Sequence, residues 1–228
     1  MPLSTPLVAC PERNRNRGFT LTELLLVIAI IAVLAGLVLP VTSLVRRLAK
    51  STGCRSNLQQ LGAVTMIYAE ANYEVVPGSK VWGVSDPKRS IAWYHRLPSE
   101  LGQTKVPTGS SIFQCPGFQA GGPQVFGHDI PKSYKMNASI DSDRGRYAPF
   151  ALGGVRDAAS LVLFVDATTK PGMGQWGHAP ASAVDDSRHG QRVNVLYADG
   201  HSSSVVTKTK TQTWTSVLKW KSEEWPKR

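Results

Sequence analysis

Apolar residues are distributed very unevenly along this chain. Residues 24–39 read LLLVIAIIAVLAGLVL, without one charge or strongly polar side chain. Extending back to Phe19 gives 21 residues that include one charge, Glu23. A helix of that length is roughly 31 Å long, against a hydrocarbon core of ~30 Å. Gly36 and Pro40 fall near its end, where proline removes a backbone hydrogen bond and is expected to kink the helix. From Arg46 to about Tyr73 the pattern is again helical but one-sided. Leu58, Leu61, Thr65 and Tyr68 share a face, and Arg55, Gln59 and Glu70 are polar. This predicts one long helix over 19–76, apolar all round in its first half and amphipathic in its second, with a bend near Ser51-Thr52-Gly53.

Beyond Val75-Val76-Pro77-Gly78 the signals are short. IAWYHRLPSEL (91–101) predicts a brief helix limited by Pro98, and residues 112–116 a short strand entering a turn. Residues 133–138 read as another strand. SLVLFVD (160–166) is the clearest interior strand, apolar and rich in β-branched residues. Residues 172–184 read as a Gly/Pro/Ala loop. RVNVLYA, Asp199-Gly200 and HSSSVVT form a hairpin pattern around a DG turn. Trp214, Val217, Leu218 and Lys221 suggest a short C-terminal helix. The expected fold class is α+β: a long helix packed on a small antiparallel sheet with long loops, the globular part covering 77–228.

Composition adds three points. With 42% hydrophobic and 18% charged residues, the chain is too apolar for a disordered polymer. Its 26 Lys and Arg against 16 acids give +10, spread without a long basic run. That charge leaves nucleic-acid binding as a minor reading, with a soluble basic surface favoured. The three cysteines, Cys10, Cys54 and Cys115, contain no CxxC spacing that suggests zinc.

Three explanations compete for the N-terminus. A Sec signal peptide needs a small-residue cleavage site after the apolar run, and GLVLP (36–40) supplies none. A plain signal anchor fits the length but leaves Glu23 unexplained, because a charge at membrane depth is costly. The third uses every residue. Gly18-Phe19-Thr20-Leu21-Thr22-Glu23, preceded by Arg13, Arg15 and Arg17, resembles the processing signal of type IV pilins and type II secretion pseudopilins.

That resemblance implies cleavage by prepilin peptidase between Gly18 and Phe19, with residues 1–18 as the leader and Phe19 then N-methylated. It implies a structural, non-enzymatic subunit in the bacterial inner membrane, its head outside the cytoplasm, that later joins a periplasmic or surface filament. The implied partners are other pilin-like subunits and a secretion or pilus assembly platform, not nucleic acid. Glu23 would meet the Phe19 amine of a neighbouring subunit, since opposite charges offset each other's burial. Gly36 and Pro40 would let the helix loosen on assembly. Arginines flank the apolar run on both sides (Arg46, Arg47 and Arg55 follow it), so the positive-inside count does not set the orientation. The processing signal places the leader inside. Losing the leader removes three arginines and Glu12, lowering the formal charge from +10 to +8.

His189 followed by Asp199-Gly200 resembles the H-X9-DG segment of one bacterial group of pilin-like proteins. Several further features carry possible chemistry. Cys54 and Cys115 are candidates for a disulfide in an oxidising compartment, the alternative being two buried thiols. Gly172 to Gly177 formally matches GxGxxG but lacks a following helix to receive a phosphate. Asp141 and Asp143 resemble half a calcium loop that lacks its closing glutamate, and Asp185 and Asp186 are further calcium candidates. No other cofactor or metal is expected. The competing function is a membrane-anchored periplasmic enzyme or binding protein with its site at His189 and Asp199. The plainer expectation is that His189 packs beneath the hairpin and Asp199 accepts turn hydrogen bonds.

Overall fold

The computed structural model describes residues 18–78, 92–103, 111–118, 133–140, 150–168, 177–206 and 218–219. Backbone contacts divide the chain into two compact units, Met1–Leu44 and Val45–Arg228.

Helix α1 runs continuously over Leu21–Ala71. It passes through Gly36, Pro40 and the Ser51-Thr52-Gly53 triplet without a break in its helical backbone. It ends five residues before the predicted position 76. The Asn72 side chain donates to the carbonyl of Tyr68, and Tyr73 and Glu74 adopt left-handed φ values of 56° and 61°. The Glu74 amide then closes the turn on the Ala69 carbonyl at 2.7 Å, so backbone geometry stops the helix before Pro77 is reached.

Within the first unit, Leu21–Leu39 is a 19-residue stretch long and apolar enough to cross a membrane, with no part of it buried by the chain. In the second unit, Cys54, Leu58, Leu61, Val64, Thr65 and Ala69 of the same helix are buried. They enter the main core with Trp93, Leu97, Tyr134, Met136, Phe164 and Leu196. Gly62 permits a close approach of α1 to the sheet: a Cβ there would lie 2.8 Å from a methyl of Leu196.

The sheet has the order β3-β1-β2-β4-β5. Four strands are antiparallel neighbours: β1 (Tyr134–Asn137), β2 (Val162–Asp166), β4 (Arg192–Tyr197) and β5 (Ser202–Val206). The two-residue β3 (His178–Ala179) lies parallel beside β1. The α+β arrangement of a long helix and a small antiparallel sheet is therefore what the chain adopts. Every residue of β1 and β2 is buried; β2 contributes to both the main core and a second apolar cluster (Val162, Val165, Val193, Val195, Leu218). That explains why SLVLFVD reads as a continuous apolar run and not as an alternation.

Helix α2 (Trp93–Glu100) contains Pro98 near its end, where the lost donor costs one bond of the last turn. Trp93 donates its indole N–H to Gly177 O at 2.7 Å and stands edge-on to Phe164, with ring centroids 5.0 Å apart.

Other expectations need correction. Residues 112–116 form turns, because Asn57 Nδ2 donates to the carbonyls of Ser111 and Gln114 and folds the segment onto α1. The β4–β5 hairpin pairs Leu196 with Ser202, so Asp199-Gly200 sits inside a longer connection with Gly200 at φ 90°. In β4, Val193, Asn194, Val195 and Leu196 are all buried, as befits a strand with a neighbour on each side. Of the segment expected as a C-terminal helix, Leu218 and Lys219 are described, and Lys219 forms a parallel bridge to Leu161; Trp214, Val217 and Lys221 lie outside the described residues. Asp141, Asp143 and the first five residues of the GxGxxG match lie outside the described residues.

Candidate functional site

Two places bring the sequence-nominated residues into defined chemistry. The first is the start of α1. Gly18, Phe19 and Thr20 precede the helix and are exposed. Thr20 caps it: its side chain accepts from the Glu23 amide at 3.3 Å, and its own amide and hydroxyl donate to Glu23 Oε2 at 2.8 and 2.7 Å. This reciprocal capping box satisfies two donors of the first turn and holds a negative charge at the positive end of the helix. The signal for it, Thr-x-x-Glu directly before an apolar run, stands in the sequence, but reading Glu23 only as a partner for an amine missed it. One carboxylate oxygen, Oε2, carries this local role.

The second place lies in the Val45–Arg228 unit. Cys54 of α1, Cys115 of the turn segment, Asp166 at the end of β2 and His189 of the short 3-10 helix Ser187–His189 are all buried. One ligating atom from each lies within 4.8 Å of the others. Cys54 Sγ is 3.4 and 3.3 Å from the two oxygens of Asp166, to which its thiol donates. Cys115 Sγ is 3.2 Å from His189 Nε2, which is in turn 3.3 Å from Asp166 Oδ2.

Local structure holds each member. The amide of Cys115 donates to Ser133 Oγ at 2.7 Å, and the amide of Gly117 donates to Cys115 Sγ at 3.3 Å. Tyr134 OH donates to the Cys54 carbonyl at 3.2 Å. Asp166 receives Arg188 Nη1 on Oδ1 at 3.1 Å, and the amide and Nδ2 of Asn194 on Oδ2 at 3.2 and 3.3 Å. Ser51 Oγ in turn donates to Asn194 Oδ1 at 3.4 Å. Arg188 also binds the carbonyls of Ser133 and Ala167. The polypeptide leaves the 3-10 turn through left-handed Gly190 and Gln191, at φ 69° and 65°, and enters β4.

The electrostatics of this cluster are set by burial. Burial, with the Cys115 hydrogen bond and the Asp166 charge, drives the Cys54 thiol far up. The hydrogen bond from Cys54, assisted by His189 and opposed by burial, brings the Cys115 thiol down. Burial works to lower His189, but Asp166 and Cys115 outweigh it and raise the imidazole to about 9. Burial raises Tyr134 strongly.

The nominated pairs fare differently. Cys54 and Cys115 are brought together, but as free thiols. His189 and Asp199 are not joined by any hydrogen bond or ion pair among the described residues. Asp199 instead holds His201 at 2.6 Å in the exposed hairpin connection, and it accepts the His201 amide at 3.1 Å. His189 ends the 3-10 turn that precedes β4. Asp185 gives Oδ1 to Ser187 and Oδ2 to Arg188 at 3.2 Å, so protein donors occupy its carboxylate. Burial pushes Asp185 up, yet Ser187 and Arg188 overcome this and lower it. Asp166, Arg188 and Asn194 had not been nominated. Asp166 carries one local signal, an acid closing an otherwise apolar buried strand.

No curated protein and no solved structure matches the chain. Residues 13–39 match the family model described as the prokaryotic N-terminal methylation motif. That match spans the capped start of α1 and the bare apolar stretch and ends there, lending no weight to the H-X9-DG resemblance. The chain thus carries, over residues 13–39, the N-terminal methylation signal of pilins and pseudopilins.

Proposed function

We propose that this chain is a pilin or pseudopilin, a structural subunit of a type II secretion or type IV pilus-like filament. Prepilin peptidase cuts it after Gly18 and methylates Phe19. The α1 stretch Leu21–Leu39 first resides in the inner membrane and then packs against equivalent helices in the filament core. Burial of its leucines and isoleucines supplies the cohesion, at about 25 cal/mol per Å² of apolar surface. The head operates outside the cytoplasm and meets partner subunits or an assembly platform.

The observation that carries this reading is the bare apolar stretch directly behind the processing signal. In that setting Glu23 has two tasks. Oε2 caps its own helix, and Oε1 remains for the methylated amine of an adjacent subunit. Gly36 and Pro40 are assigned to loosening of the helix during the transfer from membrane to filament. The anchored-enzyme reading loses its centre, since His189 and Asp199 keep separate partners.

The test is Glu23→Ala expressed in the native host. Mass spectrometry of the mature N-terminus should still find cleavage before Phe19, while sheared-filament preparations should lose the subunit. Normal incorporation of the variant, or an uncut leader in the wild-type protein, overturns the reading.

A further inference from the structure

The four buried side chains at the helix–sheet junction have no task in filament assembly. We propose that Cys54, Cys115, Asp166 and His189 form a structural zinc site. Their chemistry suits the ion: two sulfurs, one imidazole nitrogen and one carboxylate oxygen are a borderline-soft, four-donor set.

The geometry fits as well. Tetrahedral zinc with Zn–S near 2.3 Å and Zn–N or Zn–O near 2.0–2.1 Å requires ligand–ligand edges of roughly 3.3–3.8 Å. The separations here are 3.3 Å for Cys54 Sγ to the nearer Asp166 oxygen, 3.2 Å for Cys115 Sγ to His189 Nε2 and 3.3 Å for His189 Nε2 to Asp166 Oδ2. The four donors come from four separate segments and converge within 4.8 Å, so small shifts place an ion among them.

Charge gives a second argument. Two thiolates and Asp166 carry three negative charges; Zn²⁺ offsets two of them and Arg188, shared between Asp166 and Asp185, offsets part of the third, with His189 as a neutral fourth ligand. A cation among these donors reduces the cost of their buried negative charge. The surroundings are those of thiolate and carboxylate ligands: the Gly117 amide donates to Cys115 Sγ, and Asn194 and Arg188 orient Asp166. A Cys54–Cys115 disulfide would use only two of the four donors and would remove the sulfur partner of the buried His189. All four positions are filled by protein and shielded from water, which makes the site a structural clamp of α1 on the loop, β2 and the 3-10 turn, with no open position for catalysis.

The experiment uses the full chain in detergent with Cys10→Ser, so that Cys54 and Cys115 are the only thiols. It is purified without a metal column and analysed by elemental mass spectrometry and thiol titration. About one zinc per chain is expected, with both thiols unreactive until a chelator releases the metal and lowers Tm. Cys115→Ser and His189→Ala should each lose the zinc. Because these variants can also unfold, Co²⁺ is titrated into the chelated unmutated chain, where the intense sulfur-to-cobalt charge-transfer band reports thiolate ligation. A Cys54–Cys115 disulfide in protein isolated from the native host overturns the proposal. So do two freely reactive thiols with no zinc and no cobalt band. Neither result bears on cleavage or filament incorporation.

Discussion

Two stretches of the same helix live by opposite rules. Over Leu21–Leu39 the side chains are apolar on every face and none is buried by the chain; Leu25, Ile28 and Leu34 are 58%, 57% and 57% exposed. Over residues 54–71 one face is packed, with Leu58 and Leu61 fully buried, while Ile67 on the other side is exposed. The first stretch meets no covering surface among the described residues, and the proposed function gives it lipid or a neighbouring helix. The second has its partners already, in the sheet and in α2. A helix that is hydrophobic all round and bare is unstable in water as it stands, whereas an amphipathic one is satisfied by a single packed face.

The contrast can be broken by truncating side chains. Leu58→Ala or Leu61→Ala should cost the head about 2–5 kcal/mol, because each leaves a cavity in a closed core. Leu25→Ala should leave head unfolding unchanged within about 0.5 kcal/mol. Chemical denaturation followed by intrinsic tryptophan fluorescence in detergent measures both, and equal effects would contradict the division. Next in size is a charge in the bare stretch. Ile30→Arg should cost about 2.5–3.5 kcal/mol of membrane insertion and shift the chain from the membrane to the soluble fraction. Unchanged fractionation would mean that this stretch is not held in lipid. The smallest effect belongs to the cap. Thr20→Ala removes the reciprocal bonds to Glu23, so amide exchange should accelerate over the first turn of α1 and leave the head amides as they were. Protection equal to wild type would show that the capping box does not hold the helix start.

The same contrast explains what could be read in advance. The spans of α1, β2 and the β4–β5 hairpin are legible because hydrophobic period is a local property and long or strongly patterned segments express it. The end of α1 was not, because two left-handed residues and an Asn72 side chain stop it before the proline that was expected to. Residues 112–116 carry a strand-like composition, yet Asn57, distant in sequence, pulls them into turns. The edge position of β5 and the double-sided burial of β4 likewise depend on which neighbours the sheet supplies.

The amino-acid sequence alone determined the processing signal, the apolar stretch and the lone Glu23 one turn inside it. All of that chemistry is written within the consecutive residues 13–39, so it can be read from neighbours along the chain. Only the tertiary structure decided that Cys54, Cys115, Asp166 and His189 meet, and that His189 and Asp199 do not. Those four donors sit on a helix, a turn, a strand end and a 3-10 turn scattered from residue 54 to residue 189. No local period relates them, and only the packing of α1 on the sheet sets their separations.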